Sequence, residues 1–402
     1  MSDSTVVIAG TFDTKSHELN YLKETISAAG VEVKTVDLST SNNSESSGDV
    51  SPYDIAAFHP NGADAVFTGD RGTAVAAMAD AFKLWTQKNT ASIRGMISAG
   101  GSGGTALVTP ALQTLPIGVP KIMVSTVASG NVEPYVGPSD IMMMYSVTDV
   151  QGLNTISRRV LGNAAAAMAG AALYAPVVTK DADEKPGLGM TMFGVTTAAV
   201  QSVLGKLENE YEPFVFHATG VGGRSMEKLA DGGFFKAVID LTTTEVCDML
   251  FDGVFAADED RFGAIIRQKI PYVGSVGALD MVNFGAPPTV PAKYADRLFY
   301  EHNPQVTLMR TTPSENAQRG EWIASRLNEM EGPVRFLLPH GGVSALDAPD
   351  MPFNDDDARA SLFESLKQQF TRSSNRQLIE IPHHINSPEF SDAVVSALQD
   401  IT

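Results

Sequence analysis

The sequence predicts an α/β protein made of two Rossmann-like, doubly wound parallel-sheet domains with a cleft between them. A chain of 402 residues is longer than one hydrophobic core usually organises, so two domains are expected. In both halves, short apolar runs end in Gly, Thr, Asp or Ser and a helical pattern follows, which is typical of repeated β-α units. These junctions are Val6–Lys15, Ala65–Gly72, Met96–Thr105 and Ile122–Gly130 in the first half, and Met192–Thr197, Val215–Arg224, Ala237–Glu245 and Phe336–Ser344 in the second. Because ligands bind at the carboxyl edge of parallel sheets, the junctions also predict a ligand site.

The first half begins with a β-α-β pattern. Apolar residues share one helical face over Ser16–Ala29, and Val31–Val36 alternates as a strand does. The small and polar residues of Ser39–Ser51 predict a mobile surface loop or lid. Further helices are expected over Asp70–Leu84 and Gly104–Leu115.

A domain boundary is expected at Val177–Gly187, where a charged stretch ends in Pro-Gly. The boundary separates an N-terminal domain, residues 1–180, from a C-terminal domain, residues 187–402. The second half restarts with a predicted strand at Leu188–Val195, and both halves then alternate β and α.

The segment before this boundary predicts a subunit contact. Asp149–Ala175 has the pattern of one long helix rich in Gly and Ala, which allows close backbone packing. Met142–Met144 lies just before it, at the end of the predicted long irregular loop Ser129–Tyr145. Adjacent methionines more often fill a core or a subunit contact than bind a cofactor. We therefore expect a homodimer that uses this region.

Composition excludes several classes of function. A net charge of −18 provides no basic surplus to replace phosphate counterions, so no nucleic-acid partner is expected. Cys247 is the only cysteine, which rules out an internal disulfide and zinc–thiolate chemistry. The N-terminus lacks the features of a signal peptide, and no apolar stretch approaches a membrane span. The expected location is cytoplasmic, with a small-molecule ligand and no membrane partner.

The segment Ser98–Thr105 is the best candidate for holding a phosphate. Its glycines remove Cβ atoms where a strand turns into a helix, and Ser102 and Thr105 add hydroxyls. The glycines concerned are Gly100, Gly101, Gly103 and Gly104. The loop is not a Walker A motif, because no Gly-Lys-Ser/Thr closes it. A tight turn that requires glycine is the alternative.

Polar groups at other strand ends of the first half are further candidates. In Gly10–Lys15, which includes Thr11, Asp13 is suited to a hydrated Mg²⁺ or a ribose and Lys15 to a phosphate. The alternative is that Asp13 only caps the next helix. Asp70 and Arg71 add an acid and a guanidinium, with surface pairing as the alternative. Ser125 and Thr126 contribute hydroxyls at another strand end.

The second half carries groups that can transfer protons or bind anions. A second glycine-rich junction offers ligand-binding candidates, namely Thr219, Gly222, Gly223 and Arg224. The catalytic candidates are His217, Asp240, Glu245 and His340, each at a predicted strand end. For any one of them a hydrogen-bonded structural role is the alternative. No metal ligands can be assigned from spacing.

Motifs along nearly the whole chain resemble one family. They include GTFDTK, DRGTAVAAM, ISAGGSGGTAL, VFHATGVGGRSMEKL, LTTTEVCD and GGVSALDAP, in the family's order. The sequence is similar to the uncharacterised bacterial and fungal family that includes the ATP-binding N-terminal region of the tomato mosaic virus resistance protein. The resemblance implies a two-domain α/β protein that binds ATP or a related phosphate ligand with Mg²⁺, usually as a dimer.

Three functions remain open from the sequence. The first is an ATP- or phosphate-ligand-binding enzyme of small-molecule chemistry, with its site between the domains. The second is a nucleotide-binding regulatory or interaction module without turnover, since Walker A, triad and metal motifs are missing. The third is a divalent-metal-dependent hydrolase or lyase that uses the acids and histidines of the second half.

Overall fold

The structure is a computed structural model that describes residues 4–41, 48–174 and 184–402. The chain divides into two compact units, Met1–Thr179 and Lys180–Thr402, called here the N-terminal and C-terminal units. Residues 42–47 of the predicted loop Ser39–Ser51 lie outside the described residues. The same holds for residues 175–183, which include most of the predicted boundary Val177–Gly187.

The N-terminal unit is a doubly wound α/β unit, as predicted. Its described strands are β1 (Thr5–Gly10), β2 (Val33–Asp37), β3 (Ile93–Gly100), β4 (Lys121–Ser125) and β5 (Met142–Tyr145). Its described α-helices are α1 (Phe12–Ala28), α2 (Pro52–Ala56), α3 (Arg71–Asn89), α4 (Ser102–Thr114), α5 (Glu133–Val136) and α6 (Thr155–Tyr174). Within the described residues the strands form one parallel sheet in the order β2-β1-β3-β4-β5.

Two apolar layers cover this sheet. Along β1, Val6 and Ile8 pack with residues of α1 and α6 on one face. Val7 and Ala9 pack with residues of α2, α3 and α4 on the other. Alternate residues of a strand point to opposite faces, so a continuous apolar strand is expected where both faces are covered.

The C-terminal unit contains a second parallel sheet. Its described strands are β6 (Gly187–Met192), β7 (Glu212–His217), β8 (Ala237–Thr242), β9 (Tyr272–Gly277), β10 (Met281–Phe284), β11 (Phe299–Asn303), β12 (Val306–Arg310), β13 (Val334–Pro339) and β14 (Arg376–Ile381). Its described α-helices are α7 (Thr197–Leu207), α8 (Val221–Asp231), α9 (Thr244–Leu250), α10 (Gly263–Gln268), α11 (Pro313–Glu329), α12 (Asp356–Gln369) and α13 (Pro388–Gln399). The parallel sheet has the order β14-β13-β9-β8-β6-β7 in the described residues.

A small antiparallel sheet in the C-terminal unit was not predicted. In the described part of the unit, β10, β12 and β11 pair in that order. Each of these strands is only four or five residues long. They interrupt the β-α alternation between β9 and α11, so the unit is not built of β-α repeats alone.

Two local predictions in the first half need correction. The predicted helix Asp149–Ala175 begins only at Thr155, because Gly152 has a positive φ of 74° and Asn154 caps the helix. The Oδ1 of Asn154 accepts hydrogen bonds from the backbone N–H groups of Ile156 and Ser157. Met142–Met144, expected at the end of an irregular loop, lies instead in β5 at the edge of the sheet.

Candidate functional site

The strand order of the N-terminal unit creates a crevice between β1 and β3. The chain leaves β1 toward β2 on one side and leaves β3 toward β4 on the other, so the winding direction changes there. In open parallel sheets, ligands bind outside the carboxyl ends of the strands at such a switch point. A pocket of about 590 Å³ lies at this place, and all of its lining residues belong to the N-terminal unit. This volume is typical of small-molecule sites.

The pocket brings together most of the ligand-binding candidates of the first half. Those that line it are Gly10, Thr11, Asp13, Lys15, Gly100, Gly101, Ser102, Gly103 and Gly104. Three other candidates, Thr105, Ser125 and Thr126, do not line it. Thr105 and Ser125 are buried, and their hydroxyl oxygens are 2.6 Å apart. This hydroxyl pair joins the start of α4 to the end of β4 and so supports the glycine loop from behind.

The loop of Gly101, Gly103 and Gly104 faces open space. A Cβ atom on Gly103 would lie 3.9 Å from the Nη2 of Arg71, and one on Gly104 would meet no heavy atom within 4 Å. A Cβ on Gly101 would meet only the Thr126 hydroxyl, at 3.7 Å. None of the three has a positive φ. Neither protein packing nor backbone conformation therefore requires glycine at these three positions, and the space in front of them is open.

Among the helix starts at the pocket, α4 is the one open to an anion. The backbone N–H of Phe12 at the start of α1 donates to the Oδ1 of Asp37, at 3.3 Å. At α3 the N–H of Thr73 donates to the Oδ1 of Asp70, at 2.9 Å. Within the described residues no side chain caps the first turn of α4, which follows Gly101. Free N–H groups and the positive end of the helix dipole attract an anion to that turn.

Charged groups of both signs surround the pocket. Lys15 donates from its Nζ to the Oε1 of Gln151, at 3.0 Å, and Arg71 is exposed beside the glycine loop. Neither side chain forms an ion pair with a carboxylate of the described residues. Asp13 and Asp70 also line the pocket, and the hydrogen bond from the Thr73 backbone holds the pKa of Asp70 below its usual value. Lys15 and Arg71 suit a phosphate, and the two carboxylates suit a divalent cation bound to it.

One wall of the pocket is apolar. It is formed by Ala74 and Val75 of α3 and by Leu107 and Val108 of α4, of which only Val75 is more than 2% exposed. Apolar walls with a few polar groups are typical of sites that bind organic ligands. The arrangement therefore fits a molecule with a charged end at the glycine loop and an apolar part against α3 and α4.

The catalytic candidates Asp240 and Glu245 of the C-terminal unit are engaged by a buried arginine. Arg261 donates to Asp240 at 2.7 Å, to Glu245 at 3.1 Å and to Glu227 at 3.0 Å. Asp240, Glu245 and Arg261 are 2% exposed or less. Tyr272 also donates to Asp240, at 3.1 Å. An enclosed cluster of this kind, named here the Arg261 cluster, is typical of a structural ion network rather than of an open catalytic site.

The histidine candidates lie far apart. His217 ends β7 and His340 follows β13, and three strands of the sheet separate β7 from β13. At about 4.8 Å per strand their backbones are roughly 19 Å apart. His340 lies 2.9 Å from the Oε2 of Glu380, and the His217 ring packs against Phe193. The C-terminal unit therefore does not gather the two histidine candidates and the two acid candidates into one group.

Packing explains the glycines of the second candidate junction. A Cβ atom on Gly222 would overlap the carbonyl oxygen of His217, and one on Gly223 would overlap the carboxylate of Glu245. The carboxylate accepts the N–H of Gly223 at 3.0 Å and thus occupies the start of α8 itself. The neighbouring candidates hydrogen-bond to nearby backbone, Thr219 to His217 and Arg224 to Gly220. These glycines provide room for protein atoms, in contrast to the loop of the N-terminal unit.

Buried carboxyls should make the C-terminal unit less stable at alkaline pH. Burial raises the pKa of Glu245 and of Asp248 to about 7, and burial together with Asp347 raises the pKa of Asp280 to about 7. Because these pKa values exceed those of the unfolded chain, their stabilisation is complete below about pH 4 and is lost as the pH rises through 7. We expect the free energy of unfolding to fall by up to about 1.4 kcal/mol per pH unit for each group between about pH 5 and 6, and by about half as much per pH unit near pH 7.

Urea unfolding of the protein between pH 6 and pH 8 measures this dependence. Acids with lowered pKa values are ionised in both states over that range, so they do not obscure it. If the free energy of unfolding stays constant or increases toward pH 8, the pKa values of these carboxyls are not raised in the folded protein.

Two family models match the chain. The N-terminal domain of the uncharacterised protein family UPF0261 matches residues 4–176, and the C-terminal domain of the same family matches residues 185–402. The chain belongs to the UPF0261 family. The match also bears out the sequence resemblance, because tomato proteins are among the relatives.

The relatives include bacterial and plant proteins. A UPF0261 protein of Mesorhizobium japonicum is 54% identical over 98% of this chain and 98% of its own length. The ToMV resistance protein Tm-1(GCR237) of Solanum lycopersicum is 43% identical over 99% of this chain and 56% of that protein. The ToMV susceptible protein tm-1(GCR26) of the same plant matches with the same identity and coverage. The resistance protein and the susceptible protein of tomato are therefore equally similar to this chain.

One solved structure that matches the chain has only low similarity to it. The glycosyltransferase SsfS6 of Streptomyces sp. SF2575 is 11% identical over 67% of this chain and 81% of that chain, with a TM-score of 0.19. A score this low supports no inference about function.

The described residues show neither a metal centre nor a membrane span. Among residues 4–41, 48–174 and 184–402, no three or more His, Cys, Asp or Glu side chains are grouped to hold a metal ion. No helix in that part of the chain is long and apolar enough to cross a membrane.

Sequence reasoning missed two residues that define the sites. Asp37 accepts the backbone N–H of Phe12, so the start of α1 is not available to an anion. In the sequence, Asp37 is recognisable only as an acid at the end of a strand. Arg261 lies in a polar stretch and looks like a surface residue. Arg71 was predicted as a candidate guanidinium, with surface pairing as the alternative, and it lies beside the glycine loop of the pocket.

Proposed function

We propose that the N-terminal unit binds ATP or a related phosphate ligand, with a phosphate at the first turn of α4. The open space in front of Gly101, Gly103 and Gly104 carries this proposal, because no protein atom explains the glycines. The uncapped helix start supplies N–H donors, and Arg71 supplies a guanidinium next to them. The resemblance seen in the sequence motifs implies the same class of ligand.

The rest of the ligand is assigned from the walls of the pocket. The apolar wall, where Val75 is the partly exposed side chain, suits contact with a nucleobase or another apolar group. Asp13 and Asp70 would repel a bare polyphosphate, so we propose that Mg²⁺ accompanies the ligand. Magnesium keeps several waters and is held by one or two carboxylates plus phosphates. Asp13 and Asp70 could supply these carboxylates without forming a complete set of protein ligands.

We also propose that the protein is a homodimer. In the N-terminal unit β5 lies at the end of the sheet order. Large apolar side chains are exposed along or near it, namely Met142, Tyr145, Val147 and Tyr174. An apolar surface beside an open strand edge is a frequent feature of protein–protein contacts. The expected cytoplasmic location and the cleft shared by both domains stay predictions of the sequence.

Calorimetric titration with ATP and Mg²⁺ tests the proposed function. Arg71→Gln should weaken binding roughly tenfold or more, since a hydrogen bond to a charged group contributes about 1.5–3 kcal/mol. Arg94→Gln is the matched control, because Arg94 is also exposed but lies at the opposite end of β3. Equal losses in both variants, or no binding by the wild type, would contradict the proposal. Phosphate release measured on the same samples distinguishes an enzyme from a binding module without turnover.

A further inference from the structure

Arg319 of α11 is a fully buried arginine whose guanidinium has no oxygen acceptor among the described residues, and its side chain is in polar contact with the thiol of Cys247. Its side chain has no exposed surface. The nitrogens Nε, Nη1 and Nη2 all lack an acceptor among the described residues. Its guanidinium carbon lies 5.5 Å from the centre of the Phe251 ring, a contact that attracts a cation without accepting its hydrogen bonds. The other fully buried arginine, Arg261, is surrounded by three carboxylates.

Two carboxyl groups near Arg319, those of Glu315 and Asp280, could balance its charge, but the first is paired with another arginine and the second tends to be neutral. Glu315 accepts both Nη groups of Arg297, at 2.8 and 2.7 Å. Asp280 accepts from Ser344 at 2.7 Å through Oδ2, and burial raises the pKa of Asp280 to about 7. Below that pH, Asp280 is mostly neutral. The cationic charge of Arg319 is therefore left without a full counter-charge.

Cys247 does not compensate the charge either. Its thiol is near Arg319, but burial raises the pKa of the thiol to about 12. The thiol stays neutral at physiological pH and hydrogen-bonds toward the carbonyl of Leu279, at 3.7 Å. A buried, unpaired charge is strongly unfavourable, and such groups in proteins are normally paired.

We infer that Arg319 binds a small inorganic anion of halide size inside the C-terminal unit. An anion would both accept the hydrogen bonds of the guanidinium and neutralise its charge, whereas a water molecule would do only the first. The occupant must be small, because the side chain is enclosed on all sides. This site is independent of the phosphate site of the N-terminal unit.

The rival occupant is a water molecule that links Arg319 to Asp280. The Oδ1 of Asp280 is buried and also has no partner among the described residues. If water bridges the two, the ionised Asp280 supplies the counter-charge and added halide has no effect. The experiment must therefore separate halide from water.

The test follows unfolding through Trp322, which lies in α11 beside Phe262. In a Trp85→Phe background, Trp322 is the only tryptophan of the full-length chain. The melting temperature is measured at pH 6 in 10 and 500 mM chloride or bromide, with sodium gluconate holding the ionic strength constant. Binding to the folded state should raise it by roughly 2–4 °C.

Arg319→Met should abolish the response to halide, while Arg267→Met, which removes a surface arginine, should retain it. A wild-type melting temperature that does not respond to halide overturns the inference, as does an equal response in Arg319→Met. Crystals soaked in bromide give an independent readout if Arg319→Met does not fold. An anomalous peak within hydrogen-bond distance of the Arg319 nitrogens supports the anion, and an ordinary water there overturns it.

Discussion

Gly103→Val is expected to abolish ATP binding while the fold stays intact. Gly103 has no positive φ, and a Cβ there would lie 3.9 Å from its nearest neighbouring atom. The protein without ligand therefore has room for the Cβ of a valine at this position. The branched side chain would occupy the space in which we place the phosphate and would keep it from the first turn of α4. We expect affinity to fall by about 100-fold or more, because several charge-assisted hydrogen bonds of roughly 1.5–3 kcal/mol are lost together. Calorimetric titration measures the loss.

Gly205→Val is the matched control for this change. Gly205 lies in α7 of the C-terminal unit, and a Cβ there would also meet no heavy atom within 4 Å. The control tests whether valine in a helix is harmful by itself, and it should leave ATP affinity unchanged. If a folded Gly103→Val protein binds ATP as tightly as the control does, the glycine loop does not hold the phosphate.

Arg261→Met is expected to cause a large loss of stability in the C-terminal unit. The change leaves Glu227, Asp240 and Glu245 together in the interior without their shared cation. Removing one partner of a buried ion network costs roughly 3–5 kcal/mol, since the remaining charges stay buried. For a unit of this size the melting temperature should fall by about 10 °C or more. Differential scanning calorimetry of the full chain measures the change.

Arg267→Met provides the comparison at the surface. Arg267 also forms two ion pairs, with Asp231 at 2.8 Å and with Asp260 at 2.8 Å, but nearly half of its side chain is exposed. Exposed pairs contribute about 0–1 kcal/mol, so the melting temperature should change by only a few degrees. Similar effects of both substitutions would show that the Arg261 cluster is not a structural network, and Asp240 and Glu245 would again be candidates for catalysis.

Local patterns were sufficient to predict the parallel α/β architecture. The apolar run of β1, the helical face of α1 and the glycines before α4 are each encoded within about fifteen residues. The same is true of the pocket, because the carboxyl ends of adjacent parallel strands necessarily meet. The antiparallel strands β10 and β12 are only four and five residues long, too short to show a clear period.

The roles of the individual site residues depend on distant partners. Gly103 and Gly223 look alike in sequence, yet one faces a pocket and the other faces the carboxylate of Glu245, which lies 22 residues away. Likewise, Asp13 follows β1 and Asp240 lies two residues before the end of β8, and of these two acids Arg261 engages only Asp240. Such differences are set by tertiary contacts, so no local pattern could reveal them.

The most direct test of the central claim is a crystal structure of the protein with Mg²⁺ and a non-hydrolysable ATP analogue. The account predicts phosphate oxygens within hydrogen-bond distance of the backbone N–H groups of Ser102, Gly103 or Gly104, with Arg71 contacting the same phosphate. A nucleotide bound at any other place, with the first turn of α4 making no contact to it, would contradict the account.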